Sequence, residues 1–205
     1  AYPISVELGI VDPWWKIQYD RIKYQFEKLS EIPEIKGPTF VFAHILIPHP
    51  PFILDSNGNY ISPEQQQRAG ETYLDELFQQ LTATNKMVDK LVDQLLSNSD
   101  VPSIIIIQGD EGERREDLIA KDSSWNITKD SNRGLQEKMR ILNTYYLPGV
   151  NQSSLYPTIS PVNSFRLIFN LYFNCNYKLL PDRSYIGPTA TGNFIDVTDR
   201  VKYGY

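Results

Sequence analysis

Apolar side chains at Trp15, Tyr19, Ile22, Phe26 and Leu29 recur in steps of four and three, which line one face of a helix, so a helix is predicted over 13–31. Asp12 stands as its N-cap with Pro13 in the first turn, and Pro33, Gly37 and Pro38 end it. The period then changes. Residues 39–47 (Thr-Phe-Val-Phe-Ala-His-Ile-Leu-Ile) are apolar almost without interruption and rich in β-formers, which predicts a strand buried on both faces. Pro48, Pro50 and Pro51 stop that strand, and residues 55–59 (Asp-Ser-Asn-Gly-Asn) form a turn. Over 63–97 the helical stripe returns through Leu74, Leu77, Phe78, Leu81, Val88, Leu91, Val92 and Leu95.

The second half alternates more quickly. Strands are predicted over 103–107 and 140–147, the latter closed by Pro148 and Gly149. Pro161 opens a helix that carries Val162, Phe165, Phe169 and Tyr172 on one face, and these aromatics read as core. Short strand pieces follow at 185–187 and 194–197. Residues 113–138 are polar with no clear period and read as a surface excursion, helical in part near 135–138. The order of elements predicts a single α/β domain over 1–205, with a mixed or mostly parallel sheet and helices on both faces. Ligands in such sheets bind at the carboxyl ends of the strands. Two of those ends carry unusual side chains: His44 to Pro51 after the first strand, and Gly109-Asp110-Glu111-Gly112 after the second.

Composition narrows the chemistry. With 41% hydrophobic and 12% aromatic residues the chain can build a core, which excludes general disorder. A net charge of −5 argues against a nucleic-acid partner, because phosphate neutralisation needs clustered Lys and Arg. One cysteine excludes an internal disulfide and a zinc site built from several thiolates, and Cys175 shows no sign of activation. No apolar run approaches the roughly 20 residues that span a bilayer, and no signal peptide opens the sequence, so the chain as given reads as soluble. Only two histidines are present, so histidine-dependent chemistry falls to His44 and His49.

His49 lies in a proline-fixed turn, where an imidazole can bind an anion, ligate a metal or move a proton; the alternative is a surface histidine in a rigid loop. His44, inside the predicted strand, reads as a core histidine. Asp110 and Glu111 stand between two glycines, where adjacent carboxylates can hold a cation such as Mg, Mn, Ca or Zn. The alternative is an acidic turn that is solvated or paired with Arg114 and Arg115. No serine, threonine or cysteine sits in a recognised nucleophile motif.

The run 40–52 (Phe-Val-Phe-Ala-His-Ile-Leu-Ile-Pro-His-Pro-Pro-Phe), a long helix, and then 104–112 (Ile-Ile-Ile-Ile-Gln-Gly-Asp-Glu-Gly) resemble the second half of a sulfatase-like domain. That domain belongs to the alkaline phosphatase superfamily, and the nearest branch is the lipoteichoic-acid-synthase-like phosphoglycerol transferases. Residues 140–148, 155–163 and 179–182 are similar to the C-terminal part of membrane-anchored members, so the resemblance runs from about 13 to 198. It implies an alkaline-phosphatase-like sheet, incomplete in this chain, and a metal-dependent hydrolase or transferase acting on phosphate or sulfate esters. Asp110 matches a metal ligand, Glu111 falls where the family has a histidine ligand, and His49 matches the histidine that contacts the phosphate or sulfate group. The implied cofactor is a divalent ion (Mn, Zn, Mg or Ca). The implied parent is membrane-anchored, with this domain outside the cytoplasm.

The family's Thr, Ser or formylglycine nucleophile and a further acidic ligand come from the first half of the domain, and nothing before residue 39 resembles that half. The chain is therefore expected to be the C-terminal portion of such a domain, with no catalytic nucleophile of its own and no activity alone. A second reading is a degenerate, non-catalytic member that serves as a binding or structural domain at the cell surface. A third is an unrelated intracellular α/β protein whose acidic turn caps a strand.

Overall fold

The first helix, α1 (Trp14–Ser30), follows the predicted stripe and buries Ile22. Pro13 occupies the cap position, and its carbonyl accepts the amides of Lys16 and Ile17 at 2.9 and 3.2 Å. A single 3-10 turn, Ile32–Glu34, follows. In the computed structural model residues 13–112, 130–187 and 192–202 are described, and the chain divides into two units, 1–103 and 104–205.

In the first unit the expected single helix over 63–97 is two: α2 (Pro63–Ala69) and α3 (Tyr73–Asn98). The break has a local cause. Gly70 takes a φ of +70°, a left-handed conformation that ends a helix at little cost only for glycine. Thr72 then restarts it with a capping box, its hydroxyl accepting the Asp75 amide at 3.3 Å while Asp75 accepts the Thr72 amide at 3.0 Å. The core of this unit gathers Ile22, Ile53, Leu54 and Ala83, with Trp15, Tyr19, Phe26, Ile47, Tyr60 and Met87 packed against them. Leu74, Phe78 and Leu81, expected on the apolar stripe, are exposed.

Residues 39–47 are a correction. They form no regular element, and Phe40 and Phe42 are 76% and 79% exposed rather than buried on two faces. No described segment pairs with this run, and a strand exists only where a ladder takes up its amides and carbonyls. Instead a side chain of α1 reaches it: Gln25 Nε2 donates to the His44 carbonyl at 2.9 Å.

The second unit contains β1 (Ile105–Gln108), α4 (Asn132–Met139), β2 (Asn143–Tyr146) and α5 (Pro161–Tyr172). It ends with β3 (Tyr185–Ile186), β4 (Ile195–Asp196) and the single turn α6 (Thr198–Val201). β1 pairs antiparallel with β2, in a register that runs from Ile105 opposite Tyr146 to Gln108 opposite Asn143. β3 pairs antiparallel with β4. The chain is thus a mixed α/β structure in which both described strand pairs are antiparallel. Of the expected excursion over 113–138, residues 113–129 lie outside the described residues, and its end is α4. Leu135, Ile186 and Val197 are buried together against Met139 and Val201.

α5 turns a different face inward from the one its aromatics suggested. Asn163, Ser164, Leu167 and Ile168 are buried, whereas Phe165, Phe169 and Val162 are at least 40% exposed. Among the described residues no helix is long and apolar enough to cross a membrane.

Candidate functional site

His49 sits in the turn that follows residue 47, in the first unit. The Ile47–Pro48 and Pro50–Pro51 peptide bonds are both cis. The imidazole is exposed, and its Nδ1 lies 2.6 Å from the Pro50 carbonyl oxygen. A carbonyl only accepts, so Nδ1 carries the proton and Nε2 the lone pair of the neutral ring. His44 is exposed rather than a core histidine. In an extended segment alternate residues share a side, and His44 falls on the side of Phe40, Phe42 and Leu46, all exposed.

Behind the His49 turn lies a residue that the apolar pattern did not single out. Gln80 of α3 is fully buried; its Oε1 accepts the Ile53 amide at 2.8 Å, and its Nε2 faces the carbonyls of Pro48, His49 and Pro51. Gln66 of α2, also buried, donates to the Phe52 carbonyl at 2.8 Å. The signal was available: Gln80 stands three residues after Leu77 and three before Ala83, on the inward face, behind a run poor in backbone donors.

Asp110 and Glu111 belong to the second unit, immediately after β1. The turn is built by two backbone bonds, from Gly109 N to Leu142 O at 2.9 Å and from Gly112 N to Lys138 O at 2.7 Å. Gly112 is required by space, because a Cβ there would stand 1.9 Å from the Glu137 carbonyl oxygen. Both carboxylates are exposed. Asp110 Oδ1 accepts the Glu111 amide at 3.0 Å, and Glu111 is ion-paired with the Lys138 ammonium at the end of α4. The partners suggested by sequence, Arg114 and Arg115, lie outside the described residues. Among the described residues no three His, Cys, Asp or Glu side chains gather into a group able to hold a metal ion. Asp110 and Glu111 supply oxygen donors for only part of a divalent-ion shell, and Lys138 already neutralises one of them.

A second polar centre of this unit joins two of the motif segments. Asp182 accepts the Ser160 amide at 2.7 Å, the Ser160 hydroxyl, and Asn163 Nδ2 at 3.0 Å. Fully buried Asn163 also exchanges bonds with the Leu180 backbone, at 2.8 Å to its carbonyl and 2.9 Å from its amide. Partial burial works against the Asp182 charge, but the donors from Ser160, Tyr156 and Asn163 outweigh it and hold the carboxyl below its usual range. Burial, reinforced by the bond to Asp182, pushes the Tyr156 phenol up to about 12. Every polar atom described here has a partner, so the cluster is a brace for the α5 N-terminus.

Comparison of the chain with protein-family models, curated proteins and solved structures finds no match.

Proposed function

We propose that this chain is the C-terminal portion of an extracytoplasmic sulfatase-like domain from a membrane-anchored parent that acts on phosphate or sulfate esters. The finer fold belongs to the same proposal: an alkaline-phosphatase-like sheet, mixed or mostly parallel and covered by helices on both faces, to which β1 contributes one strand. The observation that carries it is the glycine-flanked acidic turn that follows β1, which leaves the Asp110 carboxylate exposed.

In this reading Asp110 is one oxygen ligand of a divalent cation, and the remaining ligands and the hydroxyl nucleophile come from the preceding half of the domain. A cation held there would polarise the ester and ease loss of the proton from the attacking hydroxyl. His49, in the first unit, is read separately as a group that, when protonated, would donate from Nε2 to a phosphate or sulfate oxygen while Nδ1–H stays on Pro50. Phosphate release from a generic aryl phosphate by the full-length protein, lost in Asp110→Asn, is the supporting result. Equal turnover in the variant removes the role of Asp110.

A second reading is favoured by one observation: the Lys138 ammonium sits against Glu111, where a cation would bind. That pairing suits a degenerate member that has kept the turn and serves as a binding or structural domain at the cell surface.

A further inference from the structure

The turn after residue 47 cannot hold itself. Pro48, Pro50 and Pro51 have no amide hydrogen, so the local backbone offers acceptors with few donors to meet them. The missing donors are brought by side chains. Gln80 Nε2 lies 3.3 Å from Pro48 O, 3.1 Å from His49 O and 3.4 Å from Pro51 O, while its Oε1 takes the Ile53 amide. A fully buried glutamine is tolerated only where such bonds offset the loss of water. An apolar side chain would fill the same space but supply neither the two amide hydrogens that the carbonyls of Pro48, His49 and Pro51 share nor the acceptor for the Ile53 amide.

The consequence reaches the imidazole. The acceptor of His49 Nδ1 is the Pro50 carbonyl, and the carbonyls on either side of it, those of His49 and Pro51, converge on Gln80. The orientation of the Pro50 peptide is thereby tied to a side chain 30 residues away in sequence.

We infer that Gln80 is the positioning residue of His49: it fixes the turn so that Nδ1–H stays on the Pro50 carbonyl, the one tautomer of the neutral ring, and Nε2 is left to take up a proton and donate it to an anionic ligand. The ligand side of this inference rests on the reading of His49 as the group that contacts a phosphate or sulfate ester. The positioning side does not.

Nitrogen-15 spectra of the imidazoles in the full chain test it, with His44 as the internal reference. At about pH 9, above the ordinary imidazole range, His49 is expected to show a protonated Nδ1 and a bare Nε2. Gln80→Met is expected to move both His49 nitrogens toward the average of mixed tautomers and to leave His44 in place. An unchanged His49 pattern in folded Gln80→Met overturns the inference. Should that variant not fold, Gln80→Glu keeps the side-chain length and the acceptor for Ile53 and removes the amide donor, and the same two outcomes decide.

Titration of the unmodified chain with inorganic phosphate separates the two readings. A saturable shift at His49 with none at His44 supports the ligand role. No shift at His49 rejects that role, while the tautomer result still decides the positioning role.

Discussion

The phenolic Oη of Tyr156 donates to Asp182 Oδ2 at 2.7 Å and accepts Asn163 Nδ2 at 3.0 Å, tying the segment before α5 to the segment after it. Tyr156→Phe removes one hydroxyl and leaves a partly buried carboxylate oxygen and an amide hydrogen without that partner. We expect a loss of about 1–3 kcal/mol in the stability of the second unit by denaturant unfolding. A double-mutant cycle with Asp182→Asn should show coupling, and strictly additive effects would mean that the two groups act independently.

The same carboxylate sets a pH dependence. The folded state holds Asp182 below its usual range, so its contribution is fully present above the unfolded carboxyl value of roughly 3.9. It is lost as pH falls through the lower folded value. Asp182→Asn should therefore destabilise the protein at neutral pH, and the gap to the unsubstituted chain should narrow below about pH 4. A gap that widens on acidification contradicts the assignment.

Gly112→Ala places a methyl group against the Glu137 and Lys138 carbonyls, at 1.9 and 2.9 Å before any relaxation. The turn must open, which we expect to cost about 1–3 kcal/mol. Exchange of the residue 112 amide, bonded to Lys138 O, should accelerate. Unaltered exchange would show that the acidic turn does not depend on this close approach.

Gly70 and Thr72 divide a helical stripe that sequence periodicity reads as continuous. Gly70→Ala forces an alanine to a φ of +70° and should cost about 1 kcal/mol. Thr72→Ala removes the capping box and should cost about 0.5–2 kcal/mol. Were α2 and α3 one helix in solution, Gly70→Ala would instead stabilise it.

How much of this was legible in the sequence depends on the range of the interactions. α1, the two central strands, the opening of α5 at Pro161 and the terminal strand pieces follow from local period and punctuation, which neighbouring residues set by themselves. Residues 39–47 failed because an apolar β-rich run says what a segment can bury, not which strand will pair with it. Their backbone meets the Gln25 side chain instead of a ladder. The aromatics of α5 misled for a related reason: Asn163 and Ser164 take the inward face because their partners, Leu180, Asp182, Gln108 and Tyr145, lie far along the chain. At the candidate site, the proline turn and the acidic turn could be read directly. Lys138 could not, because it acts on a residue 27 positions away, and for Gln80 the sequence showed a polar side chain on an inward face but not the backbone groups, 27 or more positions away, that it meets.

If Asp110 serves a divalent cation in a phosphate- or sulfate-ester site, calorimetric titration of the metal-free full-length protein will register that cation. Saturable binding of at least one of Mn, Zn, Mg and Ca is expected, abolished in Asp110→Asn with the fold intact. Absence of binding by all four ions to the folded protein would contradict it.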